Sequence, residues 1–119
     1  MSKELEFEQR LQKFAASVIA LCREIKINPY NRAIIDQVIR SAASIGANYT
    51  EANCASLKRD FVAKVSISRK ESQETKFWLK LLLDTEPEFK NSIELLWQEC
   101  HEVSLIFHKI IYTIKQNKK

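Results

Sequence analysis

One glycine and two prolines in 119 residues leave little raw material for tight turns. That scarcity argues against an all-β fold and for a few long helices on short links. Three cysteines, Cys22, Cys54 and Cys100, are odd in number for a disulfide framework and too scattered for a zinc site. A reducing compartment suits them. No apolar run approaches the roughly 20 residues of a membrane span. The opening residues Met1 to Glu6 are charged where a signal peptide would be apolar. The expectation is a cytoplasmic protein with no membrane partner. A glycine-rich phosphate loop is not available to a chain with a single glycine.

What is present is a soluble-protein composition, 45% apolar and 29% charged, with a net charge of +4 that favours anionic partners mildly. The length suits one domain over residues 1–119 with a core of its own. Apolar residues recur at three- and four-residue spacings in four segments, about 3–27, 31–55, 58–83 and 88–116. The first carries Phe7, Leu11, Phe14, Val18, Leu21 and Ile25, and Asn28-Pro29 stops it. The third has a stripe of Phe61, Val65, Ser68, Ser72, Thr75, Leu79 and Leu82. The fourth has Ile93, Leu96, Cys100, Val103, Phe107, Ile111 and Ile114. Asn31, Ser56 and Thr85 stand where N-caps of the second, third and fourth helices are expected. Long helices on short links predict an all-α, antiparallel up-down-up-down four-helix bundle.

The second helix is the most informative. Wound at about 100° per residue, it sets Gln37, Arg40, Ser44, Asn48 and Glu51 in a polar seam beside the apolar stripe of Ile35, Val38, Ala42, Ile45 and Tyr49. Its remaining face holds Ala43 and Ala47 rather than charges, as in a helix buried on more than one side. The third helix carries Ile67, Phe77, Trp78 and Leu81 away from its core stripe. These either cover an edge of the bundle or meet another copy of the chain. Burying one large apolar side chain is worth about 1.5–3 kcal/mol, so the second reading is preferred. Ala43, Ala47, Ile67, Phe77, Trp78 and Leu81 are the expected contacts of a homo-oligomer.

Chemistry-bearing groups point mostly to structure. Arg40 and Glu51 are the charges placed for partial burial, and Glu71 or Glu74 on the third helix would answer Arg40. With Ser44 and Asn48 they read as a polar network that fixes register, the alternative being a ligand or catalytic site. A di-metal bundle site needs Glu-x-x-His pairs, whereas Gln98 and Leu105 precede His101 and His108 by three. No metal or other cofactor is expected, and both histidines read as surface or boundary residues. Cys100, between Glu99 and His101, lies in the core stripe and reads as an inert small hydrophobe. Nothing indicates a small-molecule substrate, and no catalytic residue is assigned.

Basic groups are the binding signal. Lys58, Arg69, Lys76 and Lys80 share a side of the third helix, and Lys115, Lys118 and Lys119 form a second cluster. Such a stripe tracks phosphates, although aromatic residues are not interleaved with it, so base stacking has no obvious platform.

The run Arg40-Ser41-Ala42-x-Ser44-Ile45-x-Ala47-Asn48-x-x-Glu51-Ala52, followed by Lys58-Arg59-Asp60-Phe61 and Glu71-x-x-Glu74-x-x-x-Trp78-Leu79, resembles the bacterial four-helix-bundle family. Its members are also called 23S rRNA intervening-sequence proteins or, loosely, S23 ribosomal proteins. The resemblance implies a left-handed up-and-down bundle that assembles as a homopentamer, with a suspected nucleic-acid-binding role. Together these readings predict a non-enzymatic oligomer that binds RNA or a ribosomal ribonucleoprotein through repeated basic faces. A protein-interaction adaptor or a purely structural oligomer is the alternative, and a bundle enzyme using Glu51, Glu71 or Glu74 is the third reading.

Overall fold

The computed structural model describes residues 1–117, leaving Lys118 and Lys119 outside the described residues. Four helices carry nearly all of it: α1 (Lys3–Glu24), α2 (Arg32–Asn53), α3 (Lys58–Thr85) and α4 (Lys90–Gln116), with a 3₁₀ turn at Pro87–Phe89 before α4. No strand occurs among the described residues. Consecutive helices pack side by side, and α1 returns against α4 to close the bundle. The result is an elongated body of 50 × 25 × 22 Å. No helix of the described residues is long and apolar enough to cross a membrane.

The helix ends differ from expectation for local reasons. Ser2 caps α1, its hydroxyl accepting the Leu5 N–H at 3.1 Å. The helix stops at Glu24, short of Ile27, because Ile25 is already extended. Asn31 gives no side-chain cap to α2. It is 1% exposed and staples the link instead. Its amide donates to the Lys26 carbonyl at 3.0 Å, and its Oδ1 accepts the Asn28 N–H at 2.8 Å. The Asn28 carboxamide in turn accepts from Tyr30 and Asn31 N–H. Neither Ser56 nor Thr85 caps a helix. Leu57 occupies the cap position of α3 without a side-chain bond. Thr85 is the last residue of α3, its hydroxyl donating back to the Leu81 carbonyl at 3.1 Å. Two residues more of α3 and the 3₁₀ turn after it delay α4 to Lys90.

Core side chains come from all four helices. Leu11, Phe14 and Val18 of α1 meet Val38, Ala42 and Ile45 of α2, Val65, Leu79 and Leu82 of α3, and Ile93, Val103 and Phe107 of α4. At one end Phe7, Tyr49 and Phe107 pack ring to ring at 4.9–5.8 Å. At Gly46 α1 and α2 approach closely, since a Cβ there would stand 3.3 Å from that of Leu11. On the other flank Arg10 forks onto Glu99 with two bonds of 2.8 Å, tying α1 to α4. That bond holds Glu99 below, and Arg10 above, its ordinary pKa.

α3 carries three hydroxyls in its inward stripe. Ser68, Ser72 and Thr75 are fully buried with Ser41 of α2. Ser68 donates to the Ile45 carbonyl at 2.9 Å, and Thr75 donates to Ser41 Oγ at 2.8 Å. The Cys100 thiol of α4 donates to the Ser72 carbonyl at 3.2 Å. Small side chains on both surfaces let helices approach closely, and satisfied hydroxyls carry no desolvation penalty there. Ser68→Ala is therefore expected to cost about 1 kcal/mol or less, and Ser68→Leu about 1–3 kcal/mol through overpacking. Urea unfolding of both variants checks this, and a better-tolerated leucine would mean the seam has slack.

Candidate nucleic-acid interface

Residues four apart on a helix share a side. Lys76 and Lys80 do so on α3, and Trp97 and His101 on α4. Because the helices are antiparallel across the short link at residues 86–89, the two pairs face each other. Lys76 Nζ lies 2.9 Å from His101 Nδ1 and 5.2 Å from the Trp97 ring centroid. Lys80 Nζ lies 5.6 Å from the same centroid. The imidazole is stacked on the indole at 5.1 Å, the planes only 11° apart. An ammonium has only hydrogens to give, so Nδ1 accepts and the ring proton belongs on Nε2. Cation–π attraction of about 0.5–1 kcal/mol per exposed contact steadies the lysine heads over the indole.

Beside the indole a cavity of about 230 Å³ opens between Leu79 and Leu83 of α3 and Ile93 of α4, with Glu94 and Gln98 at its rim. Trp97 Nε1 is buried and has no hydrogen-bond partner. Arg69 continues the basic stripe, half-buried, two turns before Lys76. Lys58 opens α3 and Lys115 lies in the last turn of α4, both exposed. The antiparallel arrangement brings them to one end of the bundle, where Phe61 and Ile114 line a cavity of about 670 Å³. Among the described residues, none of Lys58, Arg69, Lys76, Lys80 or Lys115 has a carboxylate within salt-bridge distance. Lys118 and Lys119 fall outside the described residues.

Glu71, Glu74, Glu51 and Glu99 are paired on other flanks. Arg40 binds Glu71 at 3.0 Å, Glu74, and Gln37 Oε1 at 2.9 Å. Burial works against the Arg40 charge, but Glu71 and Glu74 outweigh it and hold the guanidinium above its ordinary pKa. Glu74 also accepts the Trp78 indole N–H at 3.0 Å. The sequence placed partial burial at Arg40 and Glu51, whereas the Arg40 side chain is 46% exposed and it is Glu71, at 12%, that is half-buried. Glu71 Oε1 has no partner. Glu51 does not join this group; it is exposed and pairs with Lys64 at 2.8 Å. Asn48 bonds back to the Ser44 carbonyl within α2.

The outer apolar residues fall on two surfaces rather than one. Ala43 and Ala47 line a groove against α1 with Leu5, Gln12 and Ala15. Ile67 and Phe77 are exposed on α3, Phe77 standing edge-on to Trp78 at 5.0 Å. Trp78 is half-buried and packs partly on the core of its own bundle, and Leu81 is also half-buried.

Sequence reasoning missed Trp97 and the role of His101. The four-residue spacing of the pair was visible, but linking it to Lys76 and Lys80 requires the register of α3 against α4. His108 is exposed and apart from the cluster. Among the described residues, no three metal-ligating side chains gather in one place. Burial pushes the Cys100 thiol up to about 12 and Cys22 to about 11, while Cys54 is exposed. A thiol reagent at pH 8 should therefore modify Cys54 rapidly and the other two only on unfolding. Two fast equivalents would contradict the burial.

The model of the family described as 23S rRNA-intervening sequence protein matches residues 3–109. The chain is also similar to a solved protein of unknown function from the S23 ribosomal protein family of Bacteroides thetaiotaomicron VPI-5482. Their identity is 31% with a TM-score of 0.79, covering 87% of this chain and 96% of that one. The comparison with curated proteins gives no match.

Proposed function

The chain belongs to the 23S rRNA-intervening sequence protein family, and on that premise we propose that it is a non-enzymatic, cytoplasmic protein that binds RNA along the groove between α3 and α4. The observation that carries this reading is the meeting of two ammonium groups with an aromatic ring across the α3–α4 groove. Lys76 and Lys80 stand over the Trp97 indole, Arg69 continues the row on α3, and none of the three has a carboxylate partner among the described residues. Unpaired cations held in a row are what a phosphate backbone needs, and each phosphate neutralised releases counterions. Three contacts on a single strand give a slope of log affinity on log salt of about −2. Exchanging Arg69, Lys76 and Lys80 together for Glu should abolish RNA retention and leave helicity intact. Binding equal to that of the parent would exclude this surface.

Self-association is the second part of the proposal, supported by α3 rather than by the α1–α2 groove. Phe77 is 59% exposed and stands edge-on to the half-buried Trp78, with Ile67 also exposed on the same helix. An exposed apolar patch of this kind suits closure by another copy of the chain. An oligomer also repeats the basic groove and multiplies its hold on a long anion. Phe77→Asp tests this more cleanly than a change at Trp78, whose ring also supports its own bundle. The variant should show a lower light-scattering mass at unchanged helicity, and an unchanged mass would refute the patch as the contact.

A further inference from the structure

The geometry points to Trp97 as a stacking platform for one unpaired nucleobase, with Lys76 and Lys80 taking the phosphates on either side of it. This rests on the RNA-binding reading and sharpens it, because it names unpaired rather than duplex RNA as the ligand. Four observations converge on it.

The indole lies under two ammonium groups, at 5.2 and 5.6 Å from its centroid, and neither is held by a carboxylate among the described residues. Their stems are anchored one helical turn apart, about 6 Å along α3. They can therefore meet successive phosphates rather than share one. Flexible lysine heads leave a ring face readily when a phosphate offers a stronger partner.

Beside the ring is a cavity of about 230 Å³ with an apolar floor of Leu79, Leu83 and Ile93. It is smaller than the roughly 300–1,000 Å³ of clefts that take drug-sized molecules, so it suits one planar ring system. Its rim carries Glu94 and Gln98, an acceptor and a group that both donates and accepts, which is what a base edge demands.

The buried Trp97 Nε1 has no acceptor within the chain. A buried indole N–H ordinarily finds one, and because it lies in the ring plane a base stacked on the face leaves it for an acceptor at the ring edge, such as a phosphate oxygen of the same strand. Finally, the platform is braced: His101 is stacked on the indole and its Nδ1 accepts from Lys76 at 2.9 Å. A base extruded from a strand can stack on such a ring whatever its identity, whereas a duplex keeps its bases inside.

The full chain carrying Trp78→Phe has Trp97 as its sole tryptophan. It should be titrated with a ten-nucleotide oligouridylate, an RNA duplex of similar charge, and inorganic polyphosphate. Oligouridylate should quench the emission saturably, and the other two should not. Trp97→Leu, with every lysine kept, should weaken oligouridylate binding about tenfold, as loss of one base–aromatic stack does. The same change should leave polyphosphate affinity unaltered, and Trp97→Phe should recover most of the loss. If Trp97→Leu binds oligouridylate as the parent does while its salt dependence persists, the platform is wrong and the basic groove stands. The platform is also wrong if polyphosphate quenches equally. If the parent retains no oligouridylate at low salt, both the platform and the RNA-binding reading fall.

Discussion

Everything about this bundle's surface follows from the face that α3 turns inward. That face is a ladder of Ser68, Ser72 and Thr75, too small to fill a core by bulk and too polar to be buried unpaired. Each hydroxyl is satisfied, by the Ile45 carbonyl, the Arg69 carbonyl and Ser41 respectively, and the Ser72 carbonyl receives the Cys100 thiol. The Ser72 bond lies within α3, but Ser68 and Thr75 reach across to α2. Hydrogen bonds are directional where apolar contacts are not, so α3 cannot rotate or slide against α2 without breaking both. The net stabilisation from each bond is modest, about 1 kcal/mol. Their larger effect is to select one register among several that apolar packing alone would tolerate.

Once that register is set, the charges of α3 sort themselves between its two neighbours. Glu71 and Glu74 turn toward α2 and meet Arg40. Lys76 and Lys80 turn toward α4 and meet an aromatic pair rather than carboxylates. The first arrangement spends charge on holding helices together. In the second, the cations hold only weak partners that a phosphate can displace. The same helix thus carries a structural flank and a flank open to anions, and its exposed Phe77 lies near the former.

The helices and most core positions could be read from the chain because three- and four-residue periodicity survives in every segment. Leu11, Val38, Val65 and Phe107 lie where their stripes put them. Helix ends were read less well, because caps compete. Asn31 has the side chain of a cap, but the nearby Lys26 carbonyl and Asn28 N–H claim it first. Thr85 bonds backwards into α3 rather than forwards. The network at Arg40 was anticipated in Glu71 and Glu74, yet Glu51 went to Lys64, a residue that periodicity on α2 alone cannot bring into view. Trp97 was passed over for a related reason. Its importance is a property of two helices in a particular register, set by the link after Thr85 and by the hydroxyl ladder, and no single-helix projection contains it.

The most direct measurement of the central claim follows the two tryptophan indole N–H resonances by heteronuclear NMR while single-stranded RNA is added. The account predicts that the Trp97 signal moves, together with the backbone amides of Lys76, Lys80 and His101, and that the Trp78 signal stays in place. Shifts confined to Trp78 and the amides of Gln37 and Arg40, with Trp97 unmoved, would contradict it.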